Sequence, residues 1–243
     1  VRGYYCSTYL LVHNTMSIDR ARVQAICFDV DGTLSDTDDQ FVVKLTRLLS
    51  PVHKIYHRFD ARRVARRLVM LTEGPGNWTY GLADRLGLDG KMVAMGDQLY
   101  GLGIGRSPAP FQLIRGTAEM LAALHQHYPL SIISIRGHRT TYQFLQQFKL
   151  TNYFSVVATG QTCRHTKPYP DPIQWVATSL GIPAAGCLMV GDTVPDIQSG
   201  KRAGAQTVGV LCGFGERHEL ENAGADLILN NTVELADILL DQS

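Results

Sequence analysis

The 243-residue chain is 45% hydrophobic and 19% charged, too apolar for a disordered polymer and long enough for one large domain or a core with one insertion. Its formal net charge of +1 lacks the basic excess of a nucleic-acid binder, and its apolar runs fall short of the roughly 18 to 20 residues that cross a bilayer as a helix. Cys6, Cys27, Cys163, Cys187 and Cys212 are odd in number, without a C-x-x-C pair or zinc-like spacing, and read as reduced thiols of a cytoplasmic protein.

Residues 1–22 precede the first convincing strand. The apolar patch Tyr9 to Val12 follows a lone Arg2, too short and without the small-residue cleavage site of a signal peptide. The expectation is a loosely ordered leader, with Met16 a candidate natural start. Val23 to Asp29 then forms a buried strand closed by the turn-forming Asp31-Gly32-Thr33, where two carboxylates appear together. From 36 to 106 the pattern is helical only, in FVVKLTRLL, ARRVARRLVML, TYGLADRLG and KMVAMGDQLYGLG. That predicts a small all-α insertion, broken at Gly74 to Trp78 and hinged back through Gly105 to Pro110.

Strand and helix alternate thereafter. A helix from Gly116 to His127 leads to the strand LSIISI, a helix near Thr140 to Phe148 to SVVAT, and a helix from Asp171 to Leu180 to CLMVG. A last helix, Pro195 to Ala203, precedes AQTVGV. The prediction is an α/β fold, a doubly wound parallel sheet formed by 23–35 and 107–243, with 36–106 inserted as a helical cap. Ligands of such sheets bind beyond the carboxyl ends of the strands.

Four short motifs fall at those ends: Asp29 with Asp31, then Ser134, then Lys167, then Asp192 with Asp196. Each alone has an ordinary reading as a turn or helix cap or a surface lysine. Together, several carboxylates with a lysine and a hydroxyl suit a divalent cation and a phosphoryl group, because Mg²⁺ takes hard oxygen ligands and phosphate needs donors and positive charge.

FDVDGTLSD, the hydroxyl ending LSIIS, the TKP and GDTVPD resemble, in order and strand context, the four motifs of the haloacid dehalogenase superfamily. The likeness is greatest to its phosphoglycolate-phosphatase-like group, whose helical cap follows the first motif. The resemblance implies that Asp29 attacks phosphorus to give an aspartyl-phosphate. It implies that Asp31 is the general acid and base, with its backbone carbonyl on Mg²⁺. Ser134 would donate to the phosphoryl oxygens, Lys167 would neutralise charge beside Asp29, Asp192 would ligate Mg²⁺ directly, and Asp196 would reach the metal through water or orient Lys167. Gly32 and Thr33 count among the substrate-binding residues. Ile135 and Arg136 depart from the small polar residue usual after the hydroxyl, and Arg136 reads equally as a substrate contact or an ordinary solvent-facing arginine.

In the insertion, Arg62, Arg63, Arg66 and Arg67 oppose Val64, Leu68 and Leu71 across one helix, the pattern of a solvated face. The sharper expectation is that one of them, or Arg58, reads a second anionic group of the substrate. Trp78 offers a substrate wall or a core anchor. His138 and His165 read as loop residues. The implied activity is a Mg²⁺-dependent phosphatase for a small phosphorylated metabolite, phosphoglycolate-like or a sugar phosphate, acting as monomer or homodimer without nucleic-acid or membrane partners. The alternatives are a phosphosugar mutase of the β-phosphoglucomutase type, a 2-haloacid dehalogenase, which needs neither a leaving-group acid nor Mg²⁺, and a non-catalytic binding module.

Overall fold

A computed structural model of the chain describes residues 17–36 and 111–240. The expected helical cap, its arginines, Trp78 and the return hinge lie outside the described residues, as does most of the leader. Of the leader, Arg20–Arg22 forms a short 3-10 turn, and Asp19 is tied to the sheet. Its N–H donates to Gln206 Oε1 at 2.6 Å while Gln206 Nε2 donates to the Asp19 carbonyl at 2.9 Å. This end of the leader is docked rather than loose.

Among the described residues, six strands form one parallel sheet: β1 (Ala25–Phe28), β2 (Leu130–Ile133), β3 (Phe154–Ala158), β4 (Cys187–Gly191), β5 (Gln206–Val210) and β6 (Leu227–Leu229). Their order is β3-β2-β1-β4-β5-β6, with Phe28 level with Ile132 on one side and Val190 on the other. The helices are α1 (Thr117–His125), α2 (His138–Gln147), α3 (Asp171–Leu180), α4 (Val194–Ala203), α5 (Arg217–Asn222) and α6 (Glu234–Leu240).

Both faces of the sheet are covered, which is why its central strands read as unbroken apolar runs instead of alternating ones. Side chains still point alternately to the two faces. Ile26, Phe28, Ile132, Leu188 and Val190 pack with Leu121, Leu124, Phe144 and Leu235 from α1, α2 and α6. Cys27, Ile133 and Met189 pack on the other face with Ile173 and Val176 of α3. Each such large side chain taken from water stabilises the fold by about 1.5–3 kcal/mol. The sheet thereby holds its strand ends rigidly.

The expected α/β alternation is present, with strand ends trimmed by a residue or two. The structure adds α5, β6 and α6 after the last predicted strand. Among the described residues no helix is long and apolar enough to cross a membrane, and Cys27, Cys163, Cys187 and Cys212 are free thiols.

Candidate active site

β1 has neighbours on both sides, reached by connections that run in opposite directions, so the crevice at its carboxyl end is the switch point of the sheet. Asp29 is the first residue beyond it, fixed by its N–H on the Val190 carbonyl at 2.9 Å. The chain then turns back on itself, with the N–H groups of Leu34 and Ser35 both donating to the Val30 carbonyl at 2.9 and 2.8 Å. Gly32 sits in this turn at φ +71°, and a Cβ there would overlap the Asp192 carboxylate, so the position demands glycine on two counts. Thr33 is buried, its hydroxyl donating to Asp192 Oδ1 at 3.2 Å. It therefore helps to hold Asp192.

Lys167 reaches in from the loop after β3. Its Nζ lies 2.6 Å from Asp29 Oδ1 and 2.6 Å from Asp196 Oδ1, and the three side chains are buried. The contact with Asp29 is a hydrogen bond, whereas Asp196 Oδ1 is an ion-pair partner without hydrogen-bond alignment and has no other bonded partner. Asp196 Oδ2 accepts from the N–H of Thr193 at 3.0 Å and from its hydroxyl, closing a capping box at the start of α4. Asp192, the first residue beyond β4, accepts from Thr33 at Oδ1 and from the Phe214 N–H at Oδ2 at 2.8 Å.

Ser134 stands just beyond β2, its N–H on the Ala158 carbonyl at 3.0 Å and its Oγ accepting from the Arg136 N–H at 3.1 Å. A hydroxyl that accepts one bond keeps its own hydrogen for donation. Arg136 is engaged by a carboxylate and a ring and is not simply solvent-facing. Its Nε and Nη2 donate to Asp31 Oδ2 and Oδ1 as a fork, and its guanidinium lies 4.9 Å over the Phe111 ring.

Ligand oxygens of Asp29, Asp192 and Asp196 all lie within 4.8 Å of one another. The carboxylate of Asp31 stands outside this group, and Asp196, expected at one remove, belongs to it. Three buried carboxylates thus gather around one ammonium. Burial pushes Asp29 up to about 7; Lys167 pulls it down, while Asp196 and Asp31 add to the upward push. Burial pushes the Lys167 ammonium down, but Asp196 and Asp29 more than offset this and hold it well above its ordinary value. The two shifts pull differently on one pair, and the geometry decides: the lysine stays charged, and Asp29 is the group strained by burial. An all-oxygen donor set of three buried carboxylates fits a hard divalent cation.

Several supporting groups were not legible from the motifs. The loop after β5, Cys212-Gly213-Phe214-Gly215, wraps Asp192 closely enough that a Cβ on Gly213 would overlap its carboxylate and one on Gly215 its carbonyl. Thr232 donates to the Thr33 carbonyl at 2.6 Å and binds the chain's last turn to the first motif. The signal in the sequence is the paired glycines at a strand end, which permit close backbone approach. His165 pairs with Asp171 at 3.0 Å and stacks on Tyr169, while His138 opens α2 beside Tyr142; neither joins the carboxylate group.

The fold and site define an α/β protein with a buried carboxylate cluster and a lysine at the switch point of a parallel sheet. The sequence model described as haloacid dehalogenase-like hydrolase matches residues 106–210. A curated relative, pyrophosphatase PpaX of Bacillus cereus, is 26% identical over 223 residues, covering 91% of this chain and 99% of its own. A hydrolase from Pseudomonas syringae aligns at 25% identity and TM-score 0.59 over 89% of this chain and 97% of its own. A predicted phosphoglycolate phosphatase from Haemophilus somnus shares the fold at TM-score 0.59 and 20% identity, over 89% and 98%. The chain is thus similar to haloacid dehalogenase-like hydrolases, through the sequence model over 106–210 and through relatives along most of its length.

Proposed function

We propose that this hydrolase is a Mg²⁺-dependent phosphatase that cleaves small phosphate monoesters through an aspartyl-phosphate on Asp29. The observation that carries the reading is Lys167 held 2.6 Å from both Asp29 and Asp196 beside the three-carboxylate group. A nucleophile, its counter-charge and a cation seat occupy one crevice. The pyrophosphatase relative supports phosphorus–oxygen hydrolysis as the reaction class.

Asp29 Oδ1 is the atom aimed at phosphorus, and the Lys167 ammonium offsets the repulsion between its charge and an incoming phosphate. Asp192, Asp196, Asp29 and the Asp31 carbonyl are the groups that would hold Mg²⁺. When bound, the ion supplies positive charge that keeps Asp29 ionised at neutral pH and stabilises negative charge on the phosphoryl oxygens. Ser134 donates its hydroxyl hydrogen to a phosphoryl oxygen. Asp31, two residues beyond the nucleophile on the far side of an in-line displacement, passes a proton to the leaving oxygen and later takes one from water. The enzyme works in a reducing cytoplasm as a monomer or homodimer.

The test is phosphate release from a panel of small monoesters, with and without Mg²⁺, with Asp29→Asn as the blank. Metal-dependent release from the unaltered chain alone is expected. No release under either condition would remove the hydrolase reading.

A further inference from the structure

We propose that Arg136 selects substrates bearing a second oxyanion on the leaving-group side of the phosphate ester, and that its guanidinium exchanges Asp31 for that oxyanion when such a substrate enters. The proposal rests on the phosphatase reading and names the substrate class of the same site. Its first ground is position. Arg136 lies two residues beyond Ser134, and its N–H binds the Ser134 hydroxyl oxygen at 3.1 Å, while its guanidinium reaches Asp31, the residue that the phosphatase reading sets beside the leaving oxygen. The phosphoryl group itself is already addressed by Ser134, Lys167 and the cation seat.

Its second ground is the contact with Asp31. Both Asp31 oxygens face the guanidinium fork, and a carboxyl group so engaged cannot also present an oxygen to the leaving group until the fork shifts. The side chains of Arg136 and Asp31 are 19% and 27% exposed, so a guanidinium that cannot shed its charge needs another anion when it lets go. A carboxylate or a second phosphate on the leaving group offers the planar or tetrahedral oxygens that an arginine fork matches. The third ground is preorganisation. The Phe111 ring lies 4.9 Å beneath the guanidinium, a stack that keeps the fork at the crevice while its partner changes.

The test is calorimetric binding of phosphonates to the full chain with Mg²⁺ in excess. 3-Phosphonopropionate and propylphosphonate carry the same phosphonate and differ by one carboxylate, and methylenediphosphonate carries a second phosphonate instead. The unaltered chain should favour the doubly charged ligands by roughly 10- to 100-fold, the range that charge-assisted hydrogen bonds give. Arg136→Ala should bring that ratio close to one, and Arg136→Lys, a point charge without the fork, should retain part of it. Arg136→Gln keeps the comparison interpretable if alanine loosens Phe111. Loss of the ratio for one doubly charged ligand alone supports the proposal and names the oxyanion. Four results overturn it: no preference in the unaltered chain, no measurable binding of either doubly charged ligand, a preference that survives in Arg136→Ala and Arg136→Gln, or an equal loss for all three ligands. Phosphonates are not hydrolysed, so failure of the monoester assay would remove the hydrolase reading and leave these ratios as measured.

Discussion

Removing the charge of Asp29 should change how stability depends on pH before any substrate is added. Burial raises this carboxyl from 3.8 to about 7, so the folded chain holds the proton more tightly than the unfolded chain does. A raised folded-state pKa contributes stability that is fully present below the unfolded value and is lost as pH rises through the folded one. Between pH 5 and pH 8 this single group should therefore cost the metal-free protein roughly 2 to 3 kcal/mol, since each tenfold difference in proton affinity between the two states is worth about 1.36 kcal/mol. That is a large part of the 5–15 kcal/mol that holds a typical domain together. Urea unfolding in EDTA at pH 5, 6, 7 and 8 measures it. The unaltered chain should lose stability across the series relative to Asp29→Asn, and Mg²⁺ in place of EDTA should restore the loss at pH 8, where a cation meets the ionised carboxylate. Parallel curves for the two chains in EDTA would refute the claim that desolvation dominates at Asp29.

Three further substitutions probe the groups around the site. Gly213→Ala places a Cβ against the Asp192 carboxylate and should weaken Mg²⁺ binding, read by calorimetry, by about 10-fold or more, as disturbed outer-shell partners do. Thr33→Val removes the hydroxyl on Asp192 and should lower Mg²⁺ affinity by a similar factor; unchanged affinity would return Thr33 to the role of a mere turn residue. Ser131→Ala deletes a buried hydroxyl that has no hydrogen-bond partner. It should leave urea stability unchanged or raise it by about 1 kcal/mol, because burying an unpaired polar group is unfavourable.

Much of this arrangement was written locally in the sequence. Strands such as AICF and CLMVG announce themselves because a parallel strand covered on both faces needs an unbroken apolar run, and Asp29 and Asp192 mark where those runs stop. β6 has only three residues, and α5 and α6 only six and seven, too few for a period of two or 3.6 to stand out. The fork on Asp31 was hidden for another reason. It joins residues 105 positions apart, and nothing in the neighbourhood of Arg136 states which carboxylate it will meet. The Phe214 N–H on Asp192 was hidden more completely, since every residue but proline offers the same donor.

Asp196 divides its two oxygens between different tasks. Oδ2 terminates the amide of Thr193 at 3.0 Å, while Oδ1 faces Lys167. A cation drawing electron density toward the site will weaken the acceptor that Thr193 sees, so the backbone proton of Thr193 is a built-in indicator of occupancy. A single resonance in an amide spectrum, moving as metal is titrated in, would follow the filling of the crevice without substrate or turnover.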